Sequence, residues 1–254
     1  MTSGRGSGRY DVALVGAGGC GCEAALRLAR GGYEVLLVTT SLDTVFAPTG
    51  ERAPLTGPED SLLSEIAAEL DVAADGTVGA WELHGAAKYR IEAEPRLHLL
   101  QSSVDALIRE EGRVVGIDTW EGVPRRARAV ALCVGPFLRA RLRLGGHEER
   151  AGRPGEMAYD DLADDLAAAG VATVEAGYGG GGDGRPAWTV RFERLADAQV
   201  EDHRVRGTAG LYAAGIVRTG PVGYPAAARD GAALAARIAD DLGPADVAQR
   251  DQVT

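Results

Sequence analysis

The stretch VALVGAGGCGCEAALRLARGG, residues 12–32, followed by YEVLLVTTSLDT, residues 33–44, decides the fold. It reads as a strand, a glycine-rich turn, a helix with apolar residues at helical spacing, and a second strand. The pattern G-x-G-x-x-G, here Gly16, Gly18 and Gly21, stands between a strand and a helix, which is the context of a dinucleotide-binding unit. We therefore predict a βαβ unit over residues 10–41, with a nucleotide at the helix N-terminus.

The three glycines of the pattern have separate predicted roles. Gly16 would form the tight turn, Gly18 would let the backbone approach a pyrophosphate, and Gly21 would let the helix pack closely on the strand. We expect the whole loop to contact the cofactor, through Gly16, Ala17, Gly18, Gly19, Cys20 and Gly21.

The end of the second strand departs from the usual pattern. An acidic residue about 20 residues beyond the loop normally holds a ribose, but here the strand ends in Thr39, Thr40 and Ser41. These hydroxyl groups can hydrogen-bond a ribose without the charge-assisted strength of a carboxylate. No arginine stands at this corner, which disfavours NADP, and the loop alone leaves NAD and FAD open.

The rest of the chain alternates strands and helices, which predicts an α/β fold with a mainly parallel central sheet. The apolar run at 127–135, ARAVALCVG, indicates a buried parallel strand, and EEGR at 110–113 indicates a hairpin within a small β-meander. A final helix begins near Pro225. Its N-terminus points back to the sheet and could stabilise a reduced flavin. This return favours a Rossmann-like FAD-binding fold of the two-dinucleotide-binding type.

The domain prediction is a single FAD-binding domain over residues 10–243. Residues 1–9 and 244–254 are predicted to be a flexible and a frayed tail. The segment GYGGGGDGRP, residues 177–186, is predicted to be a flexible glycine-rich loop.

Composition excludes several classes of function. The formal net charge of −10 argues against direct nucleic-acid binding, which needs clustered basic residues. The longest apolar runs are of strand length, so no membrane span is expected, and the polar N-terminus without a signal peptide predicts a cytoplasmic protein. The 3 cysteines and 4 histidines have no metal-site spacing, so we predict no metal.

Segments along most of the chain resemble the GidA (MnmG) flavoproteins, which modify the wobble uridine of tRNA. The opening segment resembles the family's GGGHAGCEAA sequence and its threonine-ended second strand. Residues 92–122 resemble the adenine-side strand and hairpin, residues 127–146 the strand that ends in G-T-F-L, and residues 151–171 the A-G-R-x-G-E segment. Residues 210–239, with GYPAAARDG, resemble the flavin-side ending G-Y-E-E-A-A-x-Q-G.

The resemblance implies FAD as the cofactor and further cofactor-binding residues. Val104 matches the position that contacts the adenine edge. The strand and helix ends that match the family's motifs are Gly135, Gly215, Ile216, Tyr224 and Pro225.

The chain also departs from the family pattern. VFAPTGERAPLTG, residues 45–57, has no cysteine where the full enzymes have a catalytic cysteine loop, and the helical domain that grips tRNA has no counterpart. The expectation is therefore a short, stand-alone GidA-related protein. It would be an FAD-dependent oxidoreductase of unknown substrate and catalytic residues, or a non-catalytic flavin-binding module or partner subunit. NADH or NADPH as electron donor, a homo-oligomer, and a link to tRNA modification are left open.

Four further features allow two interpretations each. Cys20 could be a reactive thiol at a helix N-terminus, but a small unreactive loop residue is favoured. Tyr224 could stack on the flavin or pack in the core. Trp81, His84 and Lys88 repeat at helical spacing, where a solvated or half-buried face is favoured over a substrate pocket. Arg150 and Arg153 could hold a phosphate, but surface positions are favoured.

Overall fold

The computed structural model describes residues 9–47, 52–55, 57–180 and 188–245. The helices are α1 Gly19–Arg30, α2 Leu62–Ala67, α3 Ala80–Ala93, α4 Asp160–Ala168, α5 Ile216–Thr219 and α6 Tyr224–Leu242. The strands are β1 Arg9–Val15, β2 Val35–Thr39, β3 Arg52–Pro54, β4 Thr77–Gly79, β5 Leu97–Gln101, β6 Val104–Glu110, β7 Arg113–Thr119, β8 Pro124–Leu132, β9 Arg141–Leu144, β10 His147–Glu149, β11 Ala151–Arg153, β12 Glu156–Met157, β13 Thr173–Gly180, β14 Trp188–Leu195, β15 Val200–Glu201, β16 Arg204–Val205 and β17 Leu211–Ala213.

The main sheet has the order β15-β16-β17-β8-β1-β2-β5. From β17 to β5 all neighbours are parallel. The strands β6 and β7 continue from β8 as an antiparallel meander, with the turn at the predicted EEGR hairpin. The α/β fold with a mainly parallel sheet and a small meander is therefore confirmed, as is the parallel strand that precedes Gly135.

Both faces of this sheet are covered. Side chains alternate along β1 because successive residues of a strand point to opposite faces. Val12 and Leu14 pack into the core that contains α1, α3 and α6, whereas Ala13 and Val15 pack into the core under α4 and the meander. The parallel strands can thus be apolar on both faces, which is the reason their sequences read as continuous apolar runs.

The last helix, α6, packs along the first helix, α1. The backbones approach closely at Gly231, where a Cβ atom would lie 2.4 Å from the carbonyl oxygen of Cys20 and 3.0 Å from the Cβ of Glu23. The two ends of the described chain therefore form one layer over the sheet, and α6 brings its first turn to the glycine loop.

A second sheet, with the order β10-β9-β14-β13, was not expected from the sequence. Residues 177–180, predicted to lie in a flexible loop, belong instead to β13, which pairs with β14. Gly180 allows the Trp188 ring to lie against the strand, since a Cβ there would be 2.7 Å from Trp188 Cζ2. The glycines thus mark close packing in a strand, and residues 181–186 of the predicted loop lie outside the described residues.

The bounds of several elements follow from the structure. Ser61 caps α2 through reciprocal hydrogen bonds with Ser64, and the helix ends at Ala67. Arg9, predicted to belong to the tail, begins β1. The predicted tails at 1–8 and 246–254 lie outside the described residues. In the described part of the chain, no helix has the length and apolar character needed to cross a membrane.

The face of α3 that was predicted to be solvated or half-buried is mixed. Trp81 is 73% exposed, and Lys88 pairs with Glu92 at 3.9 Å. His84 is buried instead, because α3 packs against the segment after β2, and its Nδ1 donates to the carbonyl oxygen of Val45 at 2.6 Å. His84 thus fixes the loop that leaves the second strand.

Candidate cofactor site

A cavity of about 410 Å³ opens at the carboxyl edge of the parallel strands. Its volume lies in the range of small-molecule sites, and this edge is where open α/β sheets bind ligands. It is assembled from the segments that follow β1, β2, β8 and β17, together with the β11–β12 hairpin. The lining residues are Gly16, Ala17, Gly18, Gly19, Cys20, Thr39, Thr40, Thr44, Ala47, Cys133, Val134, Gly135, Pro136, Phe137, Arg153, Glu156, Tyr159, Tyr178, Gly215, Ile216, Pro221, Val222, Gly223, Tyr224 and Ala227.

The geometry of the glycine turn explains each glycine of the motif. Gly16 has φ +109°, and a Cβ atom there would lie 2.2 Å from the carbonyl oxygen of Cys133. A Cβ on Gly21 would lie 1.9 Å from the carbonyl oxygen of Gly16. By contrast, a Cβ on Gly18 meets nothing within 4 Å, and Gly18 lines the cavity. Gly16 and Gly21 are thus required by packing, whereas Gly18 keeps open space beside the N-terminus of α1.

Most of the predicted cofactor-binding residues meet at this cavity. Those that line it are Gly16, Ala17, Gly18, Gly19, Cys20, Thr39, Thr40, Gly135, Gly215, Ile216 and Tyr224. Gly21 and Pro225 lie behind the lining, in the first turns of α1 and α6. Ser41 points to the backbone, its Oγ accepting from the N–H of Asp43 at 3.2 Å.

Val104 stands apart from the cavity. Its side chain is fully buried in the core beneath the meander. The segment is nevertheless tied to the end of β2, since the N–H of Ser102 donates to the carbonyl oxygen of Thr39 at 2.8 Å. The assigned contact between Val104 and an adenine edge stays a prediction.

The thiols at the cavity floor are not poised as nucleophiles. All three cysteines of the described residues are free and buried. A hydrogen bond to Cys133, together with burial, raises the pKa of the Cys20 thiol well above its usual range. Burial likewise raises the pKa of Cys22, whose Sγ donates to the carbonyl oxygen of Ala17 at 3.2 Å. The interpretation of Cys20 as a small, unreactive residue agrees with this environment.

We expect the native thiols to resist alkylation. At pH 8, iodoacetamide should modify the folded protein at least about tenfold more slowly than the protein in 8 M urea, because only the thiolate reacts and burial suppresses it. Mass spectrometry of the intact chain over time measures both rates. Fast modification of one cysteine in the folded protein would contradict the burial of the three thiols.

An aromatic pair borders the glycine loop. Tyr224 and Phe46 have ring centroids 5.3 Å apart, and Tyr224 Oη donates to the carbonyl oxygen of Phe46 at 3.3 Å. The Tyr224 ring lies against Gly19, where a Cβ would be 3.3 Å from Tyr224 Cδ1. Burial raises the pKa of Tyr224, so the phenol stays protonated. Tyr224 therefore both packs in the core and lines the cavity.

A half-buried carboxylate fixes the turn at Gly215, which lines the cavity. Asp230, on α6, accepts from the N–H of Gly215 at 2.6 Å, from Arg218 Nη2 at 2.6 Å and from His203 Nε2 at 2.9 Å. Burial tends to raise the pKa of Asp230, but the hydrogen bonds from His203 and Gly215 and the Arg218 charge outweigh it and lower the pKa to about 2. The ionised side chain holds the turn at Gly215, which has φ +72°.

The β11–β12 hairpin contributes two charged residues that were not among the predicted cofactor contacts. Arg153, for which a surface position was favoured, lines the cavity, and its Nη2 donates to the carbonyl oxygen of Ala47 at 3.2 Å. Glu156 is buried beside it and accepts from Thr40 Oγ1 at 3.0 Å. Arg150 does lie at the surface, where it pairs with Asp160. The only sequence signal for Arg153 and Glu156 was the resemblance of their segment to A-G-R-x-G-E.

The described residues do not form a set of side chains suited to a metal ion. Among these residues, no group of three or more His, Cys, Asp or Glu side chains is arranged to hold a metal ion. The arrangement at the cavity is instead a helix N-terminus with open backbone beside it, hydroxyls and a carboxylate at the end of β2, and an aromatic ring over the loop. Such a set of groups suits an extended ligand that carries phosphates and a ribose.

The comparisons with known proteins point to one family. The model of the family described as glucose inhibited division protein A matches residues 11–53 and 74–179, more than half of the chain. The tRNA uridine 5-carboxymethylaminomethyl modification enzyme MnmG of Geobacter metallireducens is 32% identical over 220 residues, covering 76% of this chain and 35% of the enzyme. The MnmG enzyme of Syntrophobacter fumaroxidans is 36% identical over 183 residues, which cover 62% of this chain and 28% of the enzyme. The chain thus spans about a third of the length of these curated relatives.

Solved structures agree with the sequence matches. The GidA-related protein from Thermus thermophilus is 37% identical, has a TM-score of 0.81, and aligns over 91% of this chain and 99% of its own. Aquifex aeolicus GidA has a TM-score of 0.78 over 93% of this chain and 64% of its own, at 15% identity, which shows the shared fold.

Proposed function

The chain belongs to the GidA family, glucose inhibited division protein A, and on that premise we propose that it is a flavoprotein that binds FAD in the cavity at the carboxyl edge of the sheet. The pyrophosphate would lie at the N-terminus of α1, beside Gly18, where free N–H groups and the helix dipole favour anions. The observation that carries the proposal is the open space at Gly18, between two glycines that the packing of the turn requires.

The flavin end would lie near the loop that joins β17 to α6. Asp230 holds the Gly215 turn, and the N-terminus of α6 faces the cavity through Gly223 and Tyr224. A helix N-terminus at this place would stabilise negative charge on a reduced isoalloxazine ring. Tyr224 would contact the ring or the ribityl chain. FAD, when bound, would supply the hydride or electron chemistry.

The absorption spectrum of the purified protein, before and after reconstitution with FAD, tests this proposal. We expect the two visible flavin bands, with FAD retained through gel filtration. A protein that stays colourless after reconstitution would overturn the proposal.

Gly18→Ala is expected to weaken FAD binding at least about tenfold, about 1.4 kcal/mol, since the new methyl group enters the space beside the pyrophosphate. The free energy of unfolding should change by less than about 0.5 kcal/mol, because Gly18 has φ −77° and its Cβ position is open. Flavin fluorescence titration and urea unfolding measure the two quantities.

The matched control is Gly146→Ala, at a glycine whose Cβ position is also open but which does not line the cavity. It should leave both FAD affinity and stability near those of the wild type. Equal affinity of the Gly18→Ala and wild-type proteins would place the pyrophosphate elsewhere.

Within this proposal the flavoprotein is an FAD-dependent oxidoreductase with NADH or NADPH as electron donor. Its kinship to the MnmG enzymes suggests a link to tRNA modification, although the net charge of −10 disfavours direct binding of tRNA by this chain. Anaerobic titration of the FAD-loaded protein with each dinucleotide tests the electron donor. Rapid bleaching of the flavin bands by one of them, with turnover after oxygen is admitted, supports the oxidoreductase.

A second candidate function is a flavin-binding module or partner subunit without turnover. The observation that favours it is the burial of the cavity thiols, Cys20 and Cys133, at the floor of the site. In that case neither dinucleotide would bleach the bound flavin in the same titration. The cytoplasmic location and a homo-oligomeric state stay predictions.

A further inference from the structure

The second strand lacks the acidic residue that usually holds a ribose, but a carboxylate stands at its end nonetheless. Glu156 is the first residue of β12, more than a hundred residues further along the chain. Its Oε2 accepts a hydrogen bond from Thr40 Oγ1 at 3.0 Å, and Thr40 directly follows β2. Both residues line the cavity. The fold therefore places a carboxylate at the end of β2, where the local sequence has only uncharged hydroxyl side chains.

The second oxygen of this carboxylate has no hydrogen-bond partner among the described residues. Glu156 is 8% exposed, and its Oε1 is buried without a hydrogen bond. Arg153 Nη1 lies 3.6 Å from Oε1, which is too far for a hydrogen bond of ordinary length. Buried carboxylate oxygens normally have at least one such partner. An unpaired oxygen at the wall of a ligand cavity points to a donor on the ligand.

We propose that Glu156 binds the adenosine ribose of the cofactor, its Oε1 accepting a hydrogen bond from the 2′-hydroxyl group. This inference rests on the proposed FAD binding and adds the residue that recognises one part of FAD. An O–H···O⁻ bond is stronger than one between neutral groups, so Glu156 supplies what the hydroxyls of Thr39 and Thr40 cannot. Thr40 orients the carboxylate by donating to Oε2.

The charge of Glu156 also gives specificity. A ribose that carries a 2′-phosphate would place two negative groups side by side, which opposes binding at a buried contact. The same carboxylate therefore selects a free 2′-hydroxyl, as the acidic residue of other dinucleotide-binding units does. Here it comes from the β11–β12 hairpin instead of the second strand.

The test compares FAD with its 2′-deoxyadenosine analogue on the wild-type protein and on Glu156→Gln. The wild type is expected to bind FAD about tenfold more tightly than the analogue, the loss that removal of a charged hydrogen bond produces. Glu156→Gln should bind FAD about tenfold more weakly than the wild type and should lose most of the preference for the 2′-hydroxyl. Flavin fluorescence titration gives the four dissociation constants.

Glu193→Gln is the matched control. Glu193 accepts from Thr173 Oγ1 at 2.9 Å and pairs with Arg139 at 2.7 Å, so the substitution changes the same kind of Thr–Glu–Arg contact away from the cavity. It should keep the wild-type preference for FAD. If Glu156→Gln does not fold, Glu156→Asp serves in its place, because it keeps the charge but withdraws the carboxylate, and it too should lose the preference.

The outcomes separate this inference from the proposed function. A wild-type protein that binds FAD and its 2′-deoxy analogue equally, or a Glu156 variant that keeps the wild-type preference, overturns the role of Glu156 and leaves FAD binding intact. A wild-type protein that binds no FAD overturns both. Loss of the preference in the Glu156 variant, with the preference retained in Glu193→Gln, supports the role.

Discussion

Gly21→Ala is expected to destabilise the protein by about 3 kcal/mol or more, the upper range for overpacking of a tightly packed site. The new Cβ would lie 1.9 Å from the carbonyl oxygen of Gly16 and 3.3 Å from the Cβ of Cys133. The first of these contacts is with backbone, so no side-chain rotation relieves it. The turn would have to separate from α1, and with it the floor of the cavity. Urea unfolding followed by circular dichroism measures the loss.

Gly85→Ala is the control for this substitution. Gly85 lies within α3 and has nothing within 4 Å of its Cβ position, so alanine there should stabilise the protein by about 0.5–1 kcal/mol through its higher helix propensity. If the free energy of unfolding falls for Gly21→Ala and rises for Gly85→Ala, the difference is due to the space around each glycine. A Gly21→Ala protein as stable as the wild type would refute the described packing of the turn.

Asp230→Ala is expected to lower the free energy of unfolding by about 3 kcal/mol. Removal of one member of a partly buried ion pair leaves its partners uncompensated, and here three donors lose their acceptor, on Gly215, Arg218 and His203. The released turn lines the cavity, so FAD retention should fall as well. Thermal unfolding with and without added FAD reports both effects.

The same carboxylate predicts a stability change in acid. The folded-state pKa of Asp230 is lowered to about 2, below the value of about 4 for an unperturbed aspartate. A lowered pKa means that the contribution is present above about pH 4 and is lost as the pH falls towards 2. Asp230→Asn, which cannot ionise, should therefore unfold with a shallower pH dependence between pH 4 and 2. Identical slopes in the two proteins would refute the assigned charge.

The local elements were predictable because their signals are local. The glycine pattern with its flanking apolar runs predicted β1, α1 and β2, and Pro225 marked the first turn of α6. Tyr224 was named through the resemblance of the GYPAAARDG segment to the family's flavin-side ending, with core packing left open as the alternative. In each case a few adjacent residues determine the structure, and no distant contact is needed to read it.

The rest depends on pairs that are far apart in sequence. The glycines at 177–180 have the composition of a loop, but pairing with β14 and the Trp188 ring makes them a strand. His84 is buried only because α3 packs on Val45. Arg153 and Glu156 become cavity residues when their hairpin folds over the end of β2. Composition and periodicity carry no information on such contacts, so the surface position favoured for Arg153 was wrong for a physical reason.

The packing of α6 along α1 has a consequence for the order of events during folding. The cavity needs the glycine turn after β1, the strand β8 and the first turn of α6, which are spread over some two hundred residues. A ribosome-bound chain can therefore not complete the site until α6 has emerged. Parallel sheets whose contacts span long sequence separations fold slowly, and a ligand that binds only the native state stabilises the protein at that final step. FAD would thus act late, by trapping the finished fold rather than guiding its formation.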